Sequence, residues 1–105
     1  MNIDDFKKVQ LIVAQIKDVK EHPNADKLYL VQVDTGTDVR QIVAGIRKAY
    51  TPEQLIGRRV ILVANLEPAV IRGETSNGML LAASDANGMA LVAPDKDIIL
   101  GSMVK

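Results

Sequence analysis

Short apolar runs of strand length, separated by turn residues, dominate the pattern of hydrophobic and polar positions along this chain. The first run is apolar on both faces, which is typical of a central, curled strand, and the next shows the alternation of a half-buried one. Asn-Gly dipeptides precede two later runs and indicate tight turns. We predict strands over Leu11–Val19, Leu28–Asp34, Arg40–Ala44, Val60–Ala64, Met79–Ala83 and Met89–Ala93, with a further strand or two in Ile98–Val104.

One short helix interrupts this pattern at residues 51–57. Thr51 is suited to the N-cap, Pro52 to the first helical position and Gln54 to the reciprocal position of a capping box. Gly57 would then end the helix in a left-handed conformation. Three strands, a helix and further strands follow the order of an OB-fold, a five-stranded Greek-key barrel, although the spacing alone also permits other small barrels.

Length and composition indicate one globular domain. The chain has 105 residues, of which 48% are hydrophobic and 25% charged, and it contains no Cys. No apolar run is long enough to span a membrane, and the N-terminal residues resemble no signal peptide, so we expect a soluble, cytoplasmic protein without membrane partners. The net charge of zero does not indicate nucleic-acid binding by itself, although residues 7–48 are mildly basic.

Catalytic machinery is sparse. His22 is the single His, and none of the three Ser residues lies in a G-x-S-x-G motif. The sequence contains neither a phosphate-binding P-loop nor a G-x-G-x-x-G motif, and it offers no set of zinc ligands with the usual spacing. We therefore expect a non-catalytic domain that binds no cofactor or metal.

Four ordered segments carry a resemblance to a known family: Glu21–Leu28, Gln41–Ile46, Val63–Pro68 and Ser76–Ala83. Together they resemble the tRNA-binding domain that occurs as free-standing proteins and as the C-terminal appendage of methionyl-tRNA synthetases. More distantly, the chain is similar to the N-terminal module of the phenylalanyl-tRNA synthetase β chain and to tRNA-associated cytokine-like domains. The resemblance covers about residues 5–105.

This resemblance implies an all-β OB-fold barrel with one short helix and a C-terminal β extension. We expect a single domain over residues 1–105, with the barrel at 1–85 and the extension at 86–105. Bacterial members of the family are generally homodimers, so the extension is the expected dimer contact. The implied partners are tRNA, a second copy of the chain and, for an appended domain, an aminoacyl-tRNA synthetase.

The candidate RNA contacts lie in two stretches. Residues 22–27 would form the first long barrel loop, and OB-folds bind oligonucleotides with this loop and the one between strands four and five. Alternatively, His22 and Asp26 merely hold the loop, and Asn77-Gly78 is a plain turn beside a core Met79. The predicted tRNA-binding residues are Lys20, His22, Asn24, Lys27, Arg47, Arg72, Ser76, Asn77 and Met79.

The scarcity of aromatic residues constrains how RNA would be recognised. Phe6, Tyr29 and Tyr50 are too few to stack successive bases, which favours contacts to phosphates, ribose and tRNA shape. The family commonly carries Asp-Leu-Arg-Val-Gly where this chain has Gln10–Ala14, and basic residues where it has Ala69–Ile71. These departures predict weaker tRNA binding with unchanged sequence preference. The alternative function is a protein dimerisation or chaperone-like interaction module of the same fold.

Overall fold

A curled antiparallel sheet forms the body of the protein in the computed structural model, which describes residues 1–105. The elements in chain order are α1 Ile3–Phe6, β1 Leu11–Glu21, β2 Tyr29–Asp34, β3 Val39–Ala44, α2 Pro52–Leu55, β4 Arg59–Val63, β5 Ala69–Ile71, β6 Glu74–Ser76, β7 Met79–Leu80, β8 Ala82–Asp85, β9 Gly88–Leu91 and β10 Met103–Val104. The architecture is the predicted all-β, OB-like barrel.

The long strand β1 connects the two halves of the six-stranded sheet. The strand order is β3-β2-β1-β4-β7, and β10 also pairs with β1. Between Ile16 and Asp18 the register with β2 shifts by one residue, so that Lys17 occupies a bulge. Bulges bend a strand and increase its twist, which lets β1 pair with β2 at one end and with β4 at the other.

The core lies inside this curl. Inward-facing residues of β2, among them Val31 and Val33, pack against Ile42 of β3 and Leu62 of β4, and all four are fully buried. Leu55 of α2 joins the same cluster and covers one end of the barrel. Each such side chain contributes roughly 1.5–3 kcal/mol by leaving water, so this cluster supplies most of the stabilisation.

The segment around β6 closes the open edge of β3. Val43 donates its backbone N–H to Ser76 Oγ at 2.9 Å, and Asn77 donates its own to the Gln41 carbonyl at 2.8 Å. Gly78 follows at φ 125°, where an added Cβ would lie 2.9 Å from both Leu62 Cδ1 and the Val63 carbonyl oxygen. Only glycine fits this position without displacing its neighbours.

Local signals predicted some elements and missed others. The capping box of Thr51 and Gln54 and the positive φ of Gly57 are confirmed, as is a hairpin between β8 and β9, although its central turn residues are Ala86 and Asn87 and Gly88 begins β9. The single strand predicted over Met79–Ala83 is wrong, because β7 pairs with β4 whereas β8 pairs with β9. Asn77-Gly78 is no hairpin turn, and the β5–β6 hairpin and α1 were not predicted.

The last 25 residues lie against the barrel, and of their side chains only that of Leu91 packs against its core, half-buried. None of residues 81–105 is buried, and the last strand, β10, covers two residues of β1. None of the helices is long and apolar enough to span a membrane.

Candidate nucleic-acid interface

His22 joins the two stretches that the sequence singles out. Its ring is 3% exposed, and Nε2 lies 3.0 Å from the carbonyl oxygen of Ile71, at the end of β5. Nδ1 accepts the backbone N–H of Asn24 at 3.0 Å, so the ring proton resides on Nε2 and is donated to Ile71. The loop of residues 22–28 and the β5–β6 hairpin therefore meet at one end of the barrel, and we call this end the rim.

Arg47 holds the first loop from the opposite side. Its Nη1 donates to the Ala25 carbonyl at 3.2 Å, and its Nη2 forms an ion pair with Glu21. The Arg47 backbone N–H donates to the Lys27 carbonyl at 3.4 Å. Because its guanidinium is occupied by the loop itself, Arg47 fixes the loop and its charge is largely balanced in place.

The side chain of Ser76 is likewise engaged in hydrogen bonds within the protein. Its hydroxyl accepts from Val43 and donates to the Gly78 carbonyl at 2.9 Å, and the residue is 4% exposed. The neighbouring Asn77 is half-buried, and the side chain of Met79 is 47% exposed. The structure therefore gives Ser76 the role of closing the barrel and leaves Asn77 and Met79 accessible beside it.

The exposed cations of the rim are Lys20, Lys27 and Arg72, and none of them forms an ion pair. Lys27 and Arg72 line one cleft of about 380 Å³ together with Ala25, Asp26 and Leu28, and we call it the loop cleft. Asp26 is the one acid in this cleft. Asn24 is exposed in the same loop, so five of the nine predicted residues are exposed, while Arg47 and Asn77 are half-buried.

Arg72 occupies an unusual backbone conformation. It has φ 54° and is the single non-glycine residue with positive φ, followed by Gly73 at φ 88° in a two-residue turn. Positive φ at both central residues is the geometry of a type I′ turn, which ordinarily favours Asn-Gly. A bulky residue there costs about 1–2 kcal/mol, and strain of this kind is often found at functional sites.

Sequence reasoning missed two features near the rim. Lys48 is exposed and unpaired, one residue beyond Arg47, whose backbone bonds to Lys27. Gln32 donates to Gln41 Oε1 at 3.1 Å, and Gln41 donates in turn to the Thr75 carbonyl at 3.0 Å, forming a polar chain on the outward face of β2 and β3. No three His, Asp or Glu side chains converge as metal ligands would.

Comparisons with known proteins agree on the kind of domain. A family model described as "Putative tRNA binding domain" matches residues 11–103. The chain is 54% identical over 105 residues to the methionine–tRNA ligase of Pyrococcus abyssi, covering all of this chain and 14% of that protein. Among solved structures, the MetRS related protein from Pyrococcus horikoshii superposes with TM-score 0.92 and 33% identity, covering 100% of this chain and 97% of that one. The chaperone CsaA from Bacillus anthracis gives TM-score 0.89 and 26% identity over 100% and 98%.

Proposed function

This chain belongs to the tRNA-binding domain family, and we propose that it holds tRNA at the rim through phosphates, ribose and overall shape, largely independent of sequence. The loop cleft carries the proposal, because Lys27 and Arg72 come from distant parts of the chain and face the same space without acidic ion-pair partners. The His22–Ile71 hydrogen bond fixes their two loops relative to each other. The domain contributes binding and no chemistry of its own.

The aromatic residues support recognition of the backbone over recognition of bases. Tyr29 is buried and donates its hydroxyl to the Tyr50 carbonyl, while Tyr50 and Phe6 are half-buried. None of them is fully exposed as a stacking platform on which single-stranded RNA binders depend. Exposed ammonium and guanidinium groups at the rim instead match phosphates.

The predicted residues then divide into two roles. We assign direct RNA contacts to Lys20, Asn24, Lys27, Arg72, Asn77 and Met79, which are exposed or half-buried. We assign positioning of the rim to His22, Arg47 and Ser76, whose polar atoms are engaged within the fold. Loss of a positioning residue should therefore weaken RNA binding together with folding stability.

The surrounding assembly is part of the same proposal. The chain spans 14% of the length of the curated ligases it matches, so it would serve as the tRNA-capturing appendage of a synthetase or as a free-standing protein in the cytoplasm. Ile99 and Met103 of the predicted extension are 83% and 69% exposed. Such apolar surface supports a homodimer, which would double the RNA contacts on one tRNA.

A mobility-shift titration with tRNA tests the rim. Lys27→Ala combined with Arg72→Ala should weaken binding by about tenfold or more at low salt and reduce the slope of log K against log salt by about 1.5, since two phosphate contacts are lost. The matched control is Lys7→Ala with Lys17→Ala, which removes two exposed charges that form no ion pair and lie outside both the loop cleft and the expected dimer contact. Equal binding by the two double variants would contradict the proposed surface.

The second candidate is a protein-interaction module. The superposition on the chaperone CsaA over the full chain favours it, as does the exposed apolar surface of residues 81–105. Wild-type tRNA affinity that does not change between low and physiological salt would favour this candidate, because RNA binding through phosphates requires counterion release.

A further inference from the structure

A second cleft, of about 430 Å³, lies between the barrel and the turn of the β8–β9 hairpin. Its barrel wall includes Lys27 and Lys48, and its hairpin wall is formed by residues 84–89, which include Ser84 and Asn87. We call it the hairpin cleft. Lys27 belongs to both clefts, so the loop cleft and the hairpin cleft adjoin each other.

The charges of the hairpin cleft favour an anion. Lys27 and Lys48 are exposed and form no ion pair, and the backbone bond from Arg47 to Lys27 keeps their segments side by side. The acid in the lining is Asp85, whose Oδ1 accepts the backbone N–H groups of Asn87 and Gly88 at 2.8 and 3.1 Å. That carboxylate is hydrogen-bonded within its own turn, and the cleft therefore holds two ammonium groups and one carboxylate.

Hydrogen bonds hold the hairpin wall in place. Leu91 of β9 donates its backbone N–H to the Tyr50 hydroxyl at 3.0 Å, and Tyr50 accepts the Tyr29 hydroxyl through its carbonyl at 2.7 Å. The guanidinium of Arg58 lies 5.3 Å from the centre of the Tyr50 ring and adds a cation–π contact. Tyr50 thus sets the position of the hairpin relative to Lys27 and Lys48.

We propose that the hairpin cleft binds a phosphodiester and its ribose from the same RNA backbone that the rim holds. Lys27 and Lys48 contact the phosphate, and the Ser84 hydroxyl and the Asn87 amide hydrogen-bond the sugar-phosphate oxygens. The inference rests on the proposed tRNA binding and adds Lys48, Ser84 and Asn87 to it. It makes the region beyond the barrel an RNA contact as well as a candidate dimer contact.

The experiment is tRNA binding by the full chain over a series of salt concentrations. Lys48→Ala should weaken binding about fivefold to tenfold at low salt and reduce the slope of log K against log salt by about 0.7–0.9, as expected for one lost phosphate contact. Lys48→Arg should retain most of the affinity. Lys7→Ala is the charge-matched control, since Lys7 is exposed, forms no ion pair and lies outside both clefts and outside the expected dimer contact.

The other results separate this inference from the proposal on which it rests. If wild type binds tRNA and the Lys27/Arg72 double variant binds weakly, but Lys48→Ala and Asn87→Ala bind as tightly as Lys7→Ala, RNA binding at the hairpin cleft is contradicted and RNA binding at the rim is retained. Lack of salt-sensitive tRNA binding by wild type would contradict the proposed tRNA binding at the rim as well. A shift of the monomer–dimer equilibrium in Lys48→Ala, measured by light scattering, would assign the cleft to a subunit contact and overturn the inference.

Discussion

Residues 11–80 and residues 81–105 are built on different physical principles. Every one of the 18 buried residues lies between Val13 and Ser76. The C-terminal region contributes strands β8, β9 and β10, yet β8 is exposed along its whole length. The barrel is therefore stabilised by its own apolar core, and the C-terminal region depends on what attaches it to that core.

Backbone hydrogen bonds supply most of this attachment, and Leu91 adds a half-buried apolar contact with the core. Val92 lies between Leu81 and Ile61, donating to the former at 2.9 Å and accepting from the latter at 3.3 Å. Further along, Gly101 donates to the Val13 carbonyl at 2.7 Å, and Val13 donates to the Ser102 carbonyl at 3.0 Å. The C-terminal region is attached mainly through backbone hydrogen bonds, and several of its apolar side chains stay exposed. Exposed apolar surface of this kind is expected where a region contacts other molecules.

Matched isoleucine truncations should show the largest difference between the two regions. Ile42→Ala removes a fully buried core side chain and should lower the free energy of unfolding by roughly 2–5 kcal/mol. Ile99→Ala removes a side chain that is 83% exposed and should change it by less than about 0.5 kcal/mol. Urea unfolding at low protein concentration measures both.

The Ile99 variant also tests how isolated the C-terminal region is. If Ile99→Ala destabilises the protein as much as Ile42→Ala, and the loss grows with protein concentration, a second copy covers Ile99. In that case the barrel would be stabilised by a core within one chain and the C-terminal region by apolar contacts with a second chain. That result would support the proposed homodimer.

Serine substitutions should give a smaller difference of the same sign. Ser76→Ala leaves the Val43 N–H and the Gly78 carbonyl without their partner at the barrel closure, which should cost roughly 1–3 kcal/mol. Ser84→Ala is the matched control, because Ser84 is exposed and makes no side-chain hydrogen bond within the protein. Equal unfolding midpoints for the two variants would show that Ser76 does not close the barrel.

The features that sequence predicts well are local ones. The capping box at Thr51 and the hairpin between β8 and β9 depend on residues within one turn of each other, so the sequence predicts both, although the hairpin turn lies one residue earlier than Asn87-Gly88. The β5–β6 hairpin escaped prediction because Arg72 occupies a turn position that normally carries Asn. The split within Met79–Ala83 was missed because adjacent residues pair with strands that are distant in the chain.

The candidate site divides along the same line. Sequence reasoning placed exposed cations such as Lys27 and Arg72 on one surface, because the OB-fold order predicts where its loops meet. It could not distinguish residues that face solvent from residues whose polar atoms form hydrogen bonds within the protein. His22 and Ser76 are of types that bind RNA readily, but their partners, Ile71 and Val43, lie 49 and 33 residues away.

The smallest predicted effect is a change in acid stability at the β2–β3 turn, where the two regions are in contact. An added Cβ on Gly36 would lie 2.7 Å from the Leu100 carbonyl oxygen, so the turn and the C-terminal segment are in close contact there. Asp38 braces this turn: its carboxylate accepts the Thr35 hydroxyl and pairs with Arg40 at 3.2 Å. The Thr35 hydrogen bond has the largest influence and holds the pKa of Asp38 below its ordinary value of 3.8; burial opposes it, and the hydrogen bond and charge of Arg40 lower the pKa further.

A lowered pKa in the folded state means that the unfolded chain takes up a proton first as the pH falls. Asp38 therefore stabilises the fold fully above its ordinary pKa, and this stabilisation is lost as the pH falls through the lower folded value. The thermal unfolding midpoint of wild type should fall more between pH 5 and pH 3 than that of Asp38→Asn. The difference should be small because the carboxylate is half exposed. Asp95→Asn, at an exposed carboxylate that accepts no hydrogen bond, should keep the wild-type acid response. Identical acid responses of wild type and Asp38→Asn would show that the Asp38 carboxylate does not stabilise this turn.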